Sequence, residues 1–132
     1  MRHCSPLSGL TATIAALALA VGVVQATEPP PEPEGFSLDG DADRGREIYA
    51  RSCATCHGEN GDGDGIIELD PPPRDLVTMM RTEKRTDWEL FVVVRDGGRA
   101  LGLSPRMVGY GRLWEDQRIR DVVAYVRSLA EE

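Results

Sequence analysis

Residues 53–57 read Cys-Ala-Thr-Cys-His. Two thiols three positions apart, at the end of a helix, can each add across one vinyl group of the same porphyrin, and the adjacent imidazole is then held against the iron. The spacing supplies covalent tethering and one axial ligand together, which is the attachment pattern of c-type haem. Two other chemistries use these residue types. A redox dithiol normally belongs to a βαβ pattern, and no such alternation of strand and helix is visible. A structural zinc site needs four ligands, and beyond residue 26 the chain offers only Cys53, Cys56 and His57.

The elements that must position this motif follow from periodicity and capping. The first helix is predicted over about Asp41 to Ser52, with acids in its opening turn and Gly45, Ile48, Tyr49 and Ser52 on one face. A capping box, Thr86-Asp87-Trp88-Glu89, announces a second helix that runs through Leu90, Phe91 and Val94 to a stop at Gly97-Gly98. The third spans roughly Glu115 to Ala130, with Ile119, Val122, Val123, Val126 and Leu129 as its apolar stripe. Between the first two lies a Gly/Pro-rich passage from Gly58 to Arg74, long enough to be functional or to wrap something.

Upstream, Arg2 and His3 precede an apolar run from Leu10 to Val24 that ends in the small residues of Val24-Gln25-Ala26, so residues 1–26 read as a signal peptide cleaved after Ala26. The alternative is an uncleaved anchor over Leu7 to Ala26, 20 residues and just long enough to span. Either way the domain is exported. Residues 27–35, TEPPPEPEG, are a proline-rich acidic tether with nothing apolar to bury, and the domain occupies 36–132.

The composition is consistent with one domain built around a bound group. The 132 residues suit a single core, yet aromatics are only 5%. The net charge of −7 argues against nucleic-acid binding, and three cysteines are too few for a disulfide scaffold. The charge is uneven: Thr27 to Pro73 holds 12 acids and 3 bases, whereas Arg74 to Arg112 holds 8 bases and 5 acids.

The stretch Gly45-Arg46-Glu47-Ile48-Tyr49 leading into Cys53-Ala54-Thr55-Cys56-His57-Gly58, with the ending Asp121-Val122-Val123-Ala124-Tyr125-Val126-Arg127-Ser128-Leu129, resembles a class I cytochrome c of the small bacterial monohaem kind. The resemblance covers nearly all of Asp41 to Leu129. It implies an all-α cytochrome c fold, three main helices plus loops wrapped around one covalently bound haem c. It also implies that the first and last helices cross, with Gly45, Tyr49 and Tyr125 at the contact.

The resemblance further implies an electron-transfer protein rather than an enzyme, carrying single electrons in the periplasm between a donor and an acceptor protein. Cys53 and Cys56 would attach the haem and His57 would be the proximal iron ligand. Methionine is a common sixth ligand, and the chain past its leader has Met79, Met80 and Met107. Met107 lies in a loop between the second and third helices, where the family places its methionine, although Val108 stands where many members have proline. One of Pro71, Pro72 and Pro73 would accept the His57 N–H through its carbonyl.

Two other functions remain open: a haem subunit of a larger dehydrogenase or terminal oxidase, and, with Met107 unbound, a five-coordinate sensor or peroxidase. The membrane enters only if the leader is retained. Asn60-Gly61-Asp62-Gly63-Asp64-Gly65 resembles the start of a calcium loop, but its twelfth position is Pro71 instead of a bidentate Glu. Trp88 and Trp114 would line the pocket or fill core, and Trp114 stands where the last helix would otherwise take a Ser or Asp cap.

Overall fold

The computed structural model describes residues 28–131; the leader lies outside them, as does Thr27 at the start of the tether. Among the described residues the chain is helical with no strand. The elements are α1 (Ala42–Ser52), α2 (Ala54–His57), α3 (Leu76–Thr82), α4 (Asp87–Asp96), a 3-10 turn (Gly98–Leu101) and α5 (Asp116–Ser128). None of these helices is long and apolar enough to cross a membrane.

The three expected helices form for the expected reasons. Asp41 caps α1 by accepting from the Asp43 and Arg44 N–H groups. The capping box of α4 is complete, with Thr86 Oγ1 accepting from Glu89 N and Glu89 Oε2 from Thr86 N. Gly97 ends that helix at φ 88°, a backbone state that suits glycine. Helix α5 takes Glu115, not Trp114, as its N-cap residue, without a side-chain cap bond, and Trp114 stacks on Tyr110 instead. The elements not foreseen are short: α2, α3 with Asp75 as its cap, and the 3-10 turn offer too few turns for a periodicity to register.

Helices α1 and α5 cross where Gly45 allows it. A Cβ there would collide with the Asp121 carbonyl, so the two backbones touch. The crossing is tied by Asp121, which accepts from Asp41 N at 2.8 Å, Arg44 Nε at 2.8 Å and Gln117 Nε2 at 3.0 Å. Tyr49 and Tyr125 meet beside it with ring centroids 5.2 Å apart.

The core lies between α4, the 3-10 turn and α5, around Trp88, Leu90, Phe91, Val92, Leu101, Ile119 and Val123. Burying Phe91, Val92 and Ile119 almost completely stabilises the fold by about 1.5–3 kcal/mol each. Phe36 packs edge-on against Trp88, which is where the apolar domain begins. The proline-rich segment before it is not wholly free: the Trp88 indole N–H donates to the Pro30 carbonyl at 2.7 Å. Composition did not reveal this contact, because a carbonyl is available on any residue type.

Candidate functional site

The Cys53–His57 motif sits on a break between two helices. Helix α1 ends at Ser52, and α2 carries Ala54 to His57. In an uninterrupted helix Cys56 N–H would bond to the Ser52 carbonyl. Instead Cys56 N–H and His57 N–H both donate to the Cys53 carbonyl, at 3.1 and 2.9 Å. The tightened turn releases the Ser52 carbonyl and ends at Gly58, whose φ of 79° admits no side chain easily. Both thiols are free and half-buried. Burial, with Cys56 adding to it, pushes Cys53 up to about 12, so that sulfur stays protonated.

His57 is the unusual polar group of the molecule. Its Nδ1 is buried and has no hydrogen-bond partner, a state that ordinarily costs about 1–3 kcal/mol. Burial lowers its pKa, opposed by the backbone of Arg74, so the ring is neutral at pH 7. Of the Pro71–Pro73 run, Pro71 and Pro72 are exposed, and the Pro73 carbonyl packs against Gly63.

The passage from Gly58 to Arg74 wraps the motif. Gly63 N–H donates to the His57 carbonyl at 2.8 Å and Ile67 N–H to the Thr55 carbonyl at 3.2 Å, satisfying carbonyls that the short α2 leaves over. Gly65 lies so close to the Thr55 and Cys56 backbone that a Cβ would not fit. Tyr49 reaches across from α1, its hydroxyl donating to the Gly58 carbonyl at 2.8 Å. Asp62 and Asp64 stand beside Gly58, and Asp62 raises the pKa of Asp64, chiefly through a side-chain hydrogen bond. Among the described residues no three His, Cys, Asp or Glu side chains gather as a metal site, neither there nor at Cys53, Cys56 and His57.

The methionines divide by environment. Met79 and Met80 pack against the core, and the Met80 sulfur accepts from the Arg127 guanidinium at 3.4 Å. Met107 is half-buried in a loop laced to the 3-10 turn, its carbonyl accepting from Gly98 N–H at 2.9 Å. Three residues on, the Tyr110 hydroxyl donates at 3.0 Å to the Ser52 carbonyl. Burial, then Cys53 and Cys56, raise the pKa of that phenol. Tyr110 therefore brings the methionine loop up to the motif. Nothing in the spacing of Gly109-Tyr110-Gly111 pairs it with a residue 58 positions away.

The Cytochrome c family model matches residues 42–130. The chain belongs to the cytochrome c family. It is a class I c-type cytochrome with the all-α cytochrome c fold, and membership implies covalently bound haem c and electron transfer through it. The cytochrome is 30% identical over 91 residues to "Cbb3-type cytochrome c oxidase subunit CcoP" of Azospirillum brasilense, covering 67% of this chain and 28% of that protein. It is 59% identical over 28 residues to "Cytochrome c-553-like" of Synechocystis sp. (strain ATCC 27184 / PCC 6803 / Kazusa), 21% of this chain and 27% of that one. The cytochrome thus spans little more than a quarter of either relative. Among solved structures, "KustC0563 c-type cytochrome" aligns with a TM-score of 0.48 at 20% identity, over 64% of this chain and 95% of the other. The residues of this cytochrome fit a haem: two unoxidised thiols flank one turn, and a neutral imidazole has a buried nitrogen without a partner.

Proposed function

We propose that this cytochrome is an exported one-electron carrier whose single haem c is held by Cys53, Cys56, His57 and Met107. The observation that carries the reading is His57, whose buried Nδ1 has no partner, directly beside two free thiols. Cys53 and Cys56 would hold the haem as thioethers, each S–H adding across one vinyl group with no oxidant required. His57 would supply the proximal ligand. Bound haem supplies the reversible oxidation and reduction of iron.

Met107 is the distal ligand of choice because the rival sulfurs are engaged elsewhere: Met80 faces Arg127 and Met79 packs on the core. Held by His57 and Met107, the iron would have no open coordination position for substrate. Residues 1–26 act as the cleaved leader that delivers the domain, residues 36–132, to the periplasm, and 27–35 as its tether. Redox partners dock over the methionine loop, where residues 97–114 carry three arginines and no acid. Arg99, Arg106 and Arg112 are exposed, and none forms an ion pair among the described residues. Val108 and Leu113 are exposed in the same stretch, so the fitting partner offers both apolar and acidic surface.

The test is the optical spectrum of the ferric holoprotein. A weak near-infrared sulfur-to-iron band is expected, and its loss in Met107→Ala; a band unchanged by that substitution would reject the assignment. A second reading, a haem subunit of a terminal oxidase, is favoured by the likeness to an oxidase subunit. Co-migration of the native protein with a catalytic subunit in size exclusion would select it.

A further inference from the structure

The geometry points to Tyr110 as the positioning residue that sets how firmly the Met107 loop is held against the haem-bearing helix. The inference rests on Met107 being the distal ligand. It begins with the helix break: because Cys56 and His57 both bond to the Cys53 carbonyl, the Ser52 carbonyl has no partner within its own segment. The Tyr110 hydroxyl takes that carbonyl at 3.0 Å.

The rest of Tyr110 is equally engaged. Its N–H donates to the Val94 carbonyl at 2.9 Å, at the end of α4, and its own carbonyl accepts from Leu113 and Trp114. Its ring lies on the Trp114 indole with centroids 4.0 Å apart and planes 18° from parallel. One residue therefore joins the end of α1, the end of α4 and the approach to α5, three positions from the methionine. On the other side of Met107 the loop is closed by Gly97 and Gly98, which leave no room for a Cβ against Ser104 and Met107. The bonds to the Val94 carbonyl and from Leu113 and Trp114 hold the loop to α4 and to the approach to α5. The hydroxyl bond ties it to the segment bearing Cys53. Removing it should loosen that tie while the backbone bonds keep the loop folded.

The test is the full-length holoprotein with Tyr110→Phe, which keeps the ring and deletes the hydroxyl. The ferric protein is titrated with imidazole, a ligand that competes with the methionine sulfur, and loss of the near-infrared band is followed. The band should persist at neutral pH without imidazole, while the half-displacement concentration falls about twofold to tenfold, the worth of one hydrogen bond. Asp121→Asn is the control, since it weakens the fold at the opposite end of α1 and should leave half-displacement unchanged. An unaltered midpoint in Tyr110→Phe, or an equal shift in Asp121→Asn, overturns the proposal.

If Tyr110→Phe yields no holoprotein, Trp114→Leu takes its place, because it withdraws the ring that seats the tyrosine. The same direction of shift is expected, and an unchanged midpoint again overturns the idea. Loss of the band in Met107→Ala without a shift in Tyr110→Phe rejects the strut alone. Survival of the band in Met107→Ala rejects the ligand assignment, and the strut with it.

Discussion

Replacing Asp121 by Asn should weaken the α1–α5 crossing by an amount that depends on pH. Asp121 is 4% exposed and accepts from the Asp41 N–H, two Arg44 guanidinium nitrogens and the Gln117 amide. These bonds, the Arg44 pair foremost, lower its pKa from 3.8 to about 2. That difference corresponds to about 2.5 kcal/mol at 1.36 kcal/mol per pH unit. Arg44 is 60% exposed and its charge is screened by water, so about 1–2 kcal/mol is the expected loss at pH 7. The folded-state pKa lies below the unfolded one, so the stabilisation is full above about pH 4 and drains away as pH falls toward 2. Urea unfolding of the holoprotein, followed by far-UV circular dichroism, should show the mutant less stable by that margin at pH 7. Between pH 4 and pH 2 the two proteins should converge. A gap that stays constant across this range would refute the charge-based account and leave only shape.

Gly45→Ala should cost about 3 kcal/mol or more, because the added Cβ meets the Asp121 carbonyl rather than a side chain that can turn aside; thermal melts would show it, and a loss below about 1 kcal/mol would mean the helices slide apart freely. Charge reversal at Arg99 and Arg106 should slow electron transfer to an acidic partner and flatten its dependence on ionic strength, measured by stopped flow; an unaltered salt slope places docking elsewhere. Trp88→Phe removes the bond to Pro30, costs about 0.5–1.5 kcal/mol and should speed proteolysis within residues 28–35, read by mass spectrometry of the fragments. Substituting both Cys53 and Cys56 by Ala should abolish covalent haem and leave a chain that melts broadly, since a ligand that binds only the folded state carries much of its stability.

Much of the architecture was legible because its causes are local. A capping box, a glycine stop and three apolar stripes each declare themselves within a few residues, and α1, α4 and α5 appear where those signals put them. Helices α2 and α3 were not legible, since four and seven residues carry no usable period. At the site, the spacing of Cys53, Cys56 and His57 declares its chemistry from covalent reach alone, whatever the remainder of the chain does. The environment of His57 could not be foreseen, because only the folded loop around it decides that its Nδ1 is buried without a partner.

By itself, the sequence determined the attachment motif and the three principal helices, for these follow from spacing and periodicity, while the crossing at Gly45 came from the family resemblance. Tertiary structure alone decided which methionine sulfurs are already engaged, that Trp88 holds the proline-rich segment, and that a tyrosine 58 residues away takes the carbonyl released at Ser52. The physical reason is that backbone groups are the same on every residue. A motif can announce a side chain's chemistry, but the partner of an orphaned carbonyl is chosen only when the chain has closed upon itself.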